Sequence, residues 1–205
     1  CATRFHGIAY GQTKKISGAK DDVEITLFPA GHVAGAAGIE LKHKGRRIFF
    51  TGDVQFESQR TVPGARFPTG HIDTIVTETT HGASEPVPGV TREKEIGRLL
   101  DTVNRTIARG GSVLIPVFAL GRHQELLTLF HEARESRRLA TCPISSSGLG
   151  IDLCDYFDDV ARKTNHINFT RSVIKALKVQ QTPRKLIPGV DPRQIGLNLL
   201  SSGVV

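Results

Sequence analysis

The sequence predicts an α/β chain in two unlike parts. Residues 1–82 hold short segments that alternate apolar and polar residues between Gly- and Pro-containing loops, the pattern of strands and hairpins. From residue 91 onward, helix-period apolar stripes alternate with short apolar runs, the pattern of a parallel sheet flanked by helices. Between them "ASEPVPGV" (83–90) is rich in Pro and small residues and reads as a connector. The expected boundaries are therefore 1–82 and 83–205.

The elements follow in order. "VEITLF" (23–28) alternates Val23, Ile25 and Leu27, as a half-buried strand does. "GIELKHKG" and "RRIFFTGD" form a hairpin with Lys44-Gly45 in the turn and Ile48–Phe50 entering the core. Residues 54–71 contain Pro63, Gly64, Pro68 and Gly70 and form a loop, and "IDTIVTET" (72–79) is a further strand. Thr91 caps a helix whose stripe is Ile96, Leu99, Leu100, Val103 and Ile107, and Gly110-Gly111 stop it. "SVLIPVFAL" has the continuous apolar character of a parallel strand buried on both faces. "GRHQELLTLFHEARESRR" is a second helix, "CPISSSG" a strand running into a loop, "IDLCDYFDDVARKT" a third helix and "QIGLNLLSSGVV" a closing strand. No internal repeat or low-complexity segment interrupts them.

Composition narrows the function classes. No apolar run reaches membrane-spanning length and no signal-peptide pattern is present. Three cysteines (Cys1, Cys142, Cys154), without metal-ligand spacing, argue against a disulfide framework and fit a reducing cytosol. The absence of Met, the start at Cys1 and the apolar end "NLLSSGVV" suggest an internal piece of a longer protein. A chain that lost its initiator to processing is the alternative. The net charge is +7, and residues 160–193 carry all of it: Arg162, Lys163, Arg171, Lys175, Lys178, Arg184, Lys185 and Arg193 stand against Asp191 alone. Such a stretch attracts polyanions such as nucleic acid, or is simply a solvated face.

Three strand segments lead into a possible site. His32 follows the first in "AGHVAGAAG", where small residues permit close approach; Asp53 follows "IFFTG"; Glu78 ends "TIVTE", with His81 three residues on. Each residue has a plain structural reading, a lone histidine or a turn-capping aspartate. If the strand ends share one sheet edge, a His/Asp/Glu cluster suits Zn or Mn acting on phosphate or carbonyl.

The order and spacing of "FPAGHVAGAAGIEL", "RRIFFTGDVQ", "DTIVTETTHG" and "GGSVLIPVFALGRHQELLTL" closely resemble the β-CASP group of the metallo-β-lactamase superfamily. The resemblance covers nearly the whole chain, and "GGSVLIPVFALGRHQE" is its most specific piece. It implies a partial metallo-β-lactamase αββα sandwich over 1–82 and a partial β-CASP domain, with a mainly parallel sheet flanked by helices, over 83–205. It implies hydrolysis of RNA phosphodiester bonds with two zinc ions in the intact site. By position, His32 matches a zinc ligand, Asp53 the aspartate that bridges both metals, and Glu78 an acidic residue that supports the site by orienting a histidine. Arg122 and Glu125 match a helix-opening "GRxQE" element whose role is structural, though a helix start there also favours phosphate. Arg171, Lys175 and Lys178, with Arg122, are the expected RNA contacts.

The departures are as informative. The family's HxHxDH motif has no match here, and two later histidines of the family are expected beyond residue 205. Thr79 and His81 stand where the family has Ser and Tyr, and His81 reads as a tolerated replacement on a loop. His6, His43, His71, His123, His131 and His166 match no ligand position and read as surface or helix residues. The implied partners are RNA and no membrane, with a homodimer or a processing complex both open, in the cytoplasm or, for a eukaryotic protein, the nucleus. Two other readings compete: an inactive RNA-binding scaffold of the same fold, and a small-substrate hydrolase, against which the β-CASP-like half argues. The chain by itself is expected to be inactive and to expose apolar faces.

Overall fold

The computed structural model describes residues 6–18, 20–85, 87–181 and 196–202. The chain divides into two compact units, Cys1–Ser84 and Glu85–Val205.

The first unit is one sheet of five strands in the order β1 (Thr13–Ser17), β2 (Asp22–Pro29), β3 (Ala37–His43), β4 (Arg46–Phe50) and β5 (Thr74–Val76). Neighbours are antiparallel from β1 to β4, whereas β5 runs parallel to β4. The expected hairpin forms, and Lys44 (φ 48°) and Gly45 (φ 76°) supply the two left-handed residues that a tight turn between right-twisted strands requires. The 72–79 strand is shorter than expected and stops at Val76, while β1 was not signalled by its mostly polar sequence.

Register sorts the side chains onto two faces. Leu27 stands opposite Ile39, Ile39 opposite Phe50, and Phe50 opposite Val76. With Val23, Ile25, Leu41 and Ile48 they make one face almost wholly apolar. Ile39 and Phe50 remain 38% exposed and Val76 46%, in keeping with the exposed apolar surface expected of this half.

The other face packs against the 54–71 loop. Phe49 is buried there, edge-to-face with Phe28 (6.0 Å) and Phe67 (4.7 Å). Glu40, 2% exposed, would be a costly isolated charge. Arg47 Nε donates to its Oε1 at 2.7 Å, and Lys42 Nζ lies 3.2 Å from its Oε2. Arg47 also donates to the carbonyls of Thr69 and His71, and its backbone N–H donates to Asp73, so one guanidinium ties the loop's end to the sheet.

The second unit opens with α1 (Arg92–Ala108), capped by Thr91, whose Oγ1 accepts from Lys94 N at 3.3 Å. Ile96, Leu100 and Val103 of the expected stripe are buried, while Leu99 and Ile107 are half-buried. Then come β6 (Val113–Phe118), α2 (Arg122–Glu135), β7 (Ile144–Ser147), α3 (Gly150–Lys163), the short α4 (Ser172–Leu177), β8 (Gln180–Gln181) and β9 (Leu197–Ser202). The sheet order is β6-β9-β7-β8 and every pairing is parallel, the α/β class the sequence predicts.

Burial of β6 on both faces is not observed. Its residues alternate, with Leu114 63% and Phe118 74% exposed. As the edge strand it is flanked on one side only, and the helices that touch it, α1 and α2, leave that second face open among the described residues. Neither α4 nor β8 carries enough apolar period to be legible in sequence.

Candidate functional site

Strand direction answers whether the three acidic and histidine positions meet. Strands β2 and β4 are each antiparallel to β3, and β5 is parallel to β4, so β2, β4 and β5 all point the same way. Their carboxyl ends therefore share one sheet edge, and His32, Asp53 and Glu78 lie in the segments just past them.

Two of these segments are joined directly. Gly31 and Val54 pair in an antiparallel bridge. On one side of it Gln55 N donates to Ala30 O at 2.9 Å; on the other side stand His32 and Asp53. Gly31 has φ +72°, and a Cβ there would lie 2.3 Å from the Gln55 carbonyl oxygen, so no other residue fits this close crossing. His32 is half-buried and Asp53 is exposed.

Glu78 joins the third segment to the second. Its Oε1 accepts from Val54 N at 2.9 Å, its Oε2 from Thr80 N at 3.2 Å, and its own N–H donates to Thr51 Oγ1 at 3.3 Å. These donors, Thr80 first and Val54 next, with a smaller contribution from the nearby His32 ring, hold the carboxyl down at about 2. Glu78 is thus an anion at any physiological pH, with both oxygens engaged by N–H groups. A depressed folded value means stability that is present above the ordinary value of 4.5 and is lost as pH falls from there through about 2. We expect Glu78→Gln to flatten acid unfolding in that window, measured as the unfolding midpoint against pH; an unaltered profile would show that these hydrogen bonds do not favour the anion.

A further side chain from the 54–71 loop closes on the histidine segment. Gln59 Nε2 donates to the carbonyls of Gly31 (2.8 Å) and His32 (2.9 Å). Arg66 N donates to Pro29 O at 3.0 Å. With Gln55 on Ala30, four successive carbonyls, 29 to 32, accept from this one loop. Neither Gln59 nor Thr51 was singled out from sequence; a polar loop residue carries no periodic signal.

His32 and Asp53 offer an imidazole and a carboxylate, the donors a borderline divalent ion takes. Glu78 is already bonded at both oxygens by backbone N–H groups. Among the described residues no three His, Cys, Asp or Glu side chains come together as a metal cage. The two fit as part of a donor set and do not complete one. His81 lies exposed in the turn after Glu78.

The second unit shows what the "GRHQE" residues do. Gln124 is fully buried; its Oε1 accepts from Gly121 N at 2.8 Å and its Nε2 donates to Gly150 O at 2.8 Å, tying the start of α2 to the start of α3. Glu125 pairs with Arg92 at 2.6 Å and fastens α2 to α1. Arg122 is exposed at the first turn of α2. His123 is a helix residue, as expected, but not a surface one. It is wholly buried with Nε2 2.8 Å from Ser146 Oγ, and burial pushes it down to about 4. Burial likewise pushes the nearby Cys154 thiol up to about 12.

The basic segment is partly neutralised by carboxylates of α3 that precede it in the chain. Arg162 pairs with Asp158 (2.6 Å) and Arg171 with Asp155 (2.8 Å). Lys175 and Lys178 are exposed on α4 and at its end. Arg184, Lys185 and Arg193, like Cys1, lie outside the described residues. No described helix is long and apolar enough to cross a membrane.

One sheet thus delivers the His32, Asp53 and Glu78 segments to a single edge, and a parallel α/β unit with a GRHQE helix start follows it in the chain. No family model matches the sequence. Over 130 residues the chain is 42% identical to Endoribonuclease YSH1 of Gibberella zeae, a match covering 63% of this chain and 15% of that protein. It is 43% identical over 129 residues to Endoribonuclease ysh-1 of Neurospora crassa, covering 62% of this chain and 14% of that protein. It is 40% identical over 110 residues to Cleavage and polyadenylation specificity factor subunit 3 of Dictyostelium discoideum, covering 54% and 14%. Over the matched stretch the chain is a homologue of these proteins. The matched stretch spans only about one seventh of the length of these curated relatives.

Proposed function

We propose that the protein carrying this chain is a zinc-dependent ribonuclease that hydrolyses RNA phosphodiester bonds in RNA processing or degradation. The observation that carries the reading is the joining of the His32, Asp53 and Glu78 segments at one sheet edge, in a chain related to proteins named endoribonucleases. Residues 1–82 are its partial metallo-β-lactamase domain and 83–205 its partial β-CASP domain.

His32 and Asp53 would hold the metal, and the remaining donors would come from residues outside the matched motifs. Such ions, when bound, acidify water and stabilise charge that develops on a phosphate. Glu78 keeps its negative charge beside His32 and fixes the Asp53 segment through Val54 N, favouring an imidazole well oriented for coordination. Lys175 and Lys178, with Arg122 and Arg171, are proposed to grip RNA phosphates, contacts that position a strand without reading its sequence. The compartment is the cytoplasm, or the nucleus for a eukaryotic protein, and RNA and a processing complex are the partners.

The test is zinc content and RNA cleavage in the protein at its full native length. We expect about two zinc ions per chain, cleavage of a single-stranded RNA, loss of both on chelation and return of both with Zn²⁺. RNA binding with neither zinc nor cleavage would overturn the reading in favour of an inactive scaffold.

A further inference from the structure

We infer that Gln59 is the residue that positions His32 for metal binding. This rests on the reading of His32 as a ligand. The 54–71 loop holds the segment before the histidine by backbone contacts: Arg66 N on Pro29 O and Gln55 N on Ala30 O. At the Gly31 and His32 carbonyls a side chain takes over. The half-buried Gln59 amide donates to both carbonyls, at 2.8 and 2.9 Å. The peptide plane that carries His32 is thus fixed from one side by Gln59, and from the other by the Gly31–Val54 bridge that leads to Asp53.

The chemistry requires this residue type. Two carbonyl oxygens side by side need a group with two donors, and a primary amide has two N–H bonds on one nitrogen. Gln59 is itself placed by its backbone, whose N–H donates to Val62 O at 2.9 Å. A carboxylate of the same shape would face both carbonyls with no proton to give, and an apolar chain would leave them to find water. In either case the loop could close, but the backbone of His32 would no longer be held in one orientation. Groups that orient a metal-binding histidine typically change metal affinity by about 10–100-fold when lost.

The experiment is a Zn²⁺ titration against a competing chelator, together with thermal unfolding of the metal-free protein, at full native length. Four variants are compared: Gln59→Met, Gln59→Glu, Ser58→Ala and His32→Ala. Ser58 Oγ accepts from Gly64 N at 3.1 Å within the same loop and makes no hydrogen bond to the described residues 29–32. It therefore reports loosening of the loop without loss of the clamp. We expect Gln59→Met and Gln59→Glu to weaken zinc binding by about 10-fold or more, and Ser58→Ala to lower the unfolding temperature while leaving zinc affinity as it was. Wild-type affinity in both Gln59 variants overturns the inference, as does equal weakening by Ser58→Ala, which would make the effect one of general loop order. Gln59→Met keeps the test open if the added charge of Gln59→Glu prevents folding. If His32→Ala itself binds zinc like the wild type, the ligand reading fails instead, and the two failures are told apart.

Discussion

Asp53→Ala is expected to abolish RNA cleavage and to lower bound zinc in the full-length protein, with little change in the unfolding midpoint. Asp53 is exposed and follows β4 by three residues, so its removal opens no cavity and leaves no buried group unpaired. The fold at that point is held by other atoms: the Gly31–Val54 bridge, Val54 N on Glu78, and Thr51 N on Val76 O at 2.9 Å. A residue that contributes nothing to these contacts, yet stands next to the bridge that joins it to His32, has its value in the open carboxylate. If that carboxylate holds metal, cleavage falls by more than the roughly 100-fold that loss of a merely orienting group costs. Asp53→Asn, with one oxygen kept, should retain more zinc than Asp53→Ala. Full activity in Asp53→Ala would remove Asp53 from the site.

The second large effect is on stability in mild acid and arises far from that edge in sequence. His123 is fully buried on α2 against Ser146 and has a folded value of about 4, below the ordinary 6.5. The unfolded chain therefore takes a proton near pH 6.5 that the folded chain refuses until about pH 4. Stability is complete above pH 6.5, declines as pH falls toward 4, and changes no further from this residue below that. A shift of this size corresponds to roughly 3 kcal/mol. His123→Gln keeps a polar partner for Ser146 and removes the titration. We expect urea midpoints of the wild type to fall steeply between pH 6.5 and 4.5 and those of His123→Gln to fall less; parallel curves would show that the imidazole titrates normally.

The two residues mark the limits of what a sequence discloses. The place of Asp53 was legible because a strand end leaves a local pattern, an apolar run followed by Gly and Asp, and because β2, β4 and β5 run in one direction. The hairpin, the capped helix α1 and the parallel pairing were legible for the same reason: period, cap and turn residues are all local. His123 was not legible. Its helix was, but burial depends on which strand comes to lie against the first turn of α2, and here Ser146 and Gly150 do. The exposed face of β6 was missed because an apolar run states what a strand can bury, not what is present to cover it. Gln59 was missed because its role is defined by two backbone carbonyls at residues 31 and 32. The charge of the basic stretch was legible but its partners were not: Asp155 and Asp158 lie just outside it in sequence and against its arginines in space.

The place of β9 in the sheet has a consequence for synthesis. Residues 197–202 lie between β6 and β7, with Leu197 and Leu199 buried, so the strands at 113–118 and 144–147 never touch each other. A nascent chain therefore emerges with α2 made and a strand-wide slot open at its centre, about 10 Å across between the two flanking strands. At about 5–20 residues per second, several seconds pass between the exit of β6 and the arrival of its neighbour. During that interval two unpaired parallel edges face solvent, and any extended peptide could occupy the gap. Premature termination anywhere before residue 197 leaves the slot empty, which makes the truncated product a natural client for chaperones and proteases.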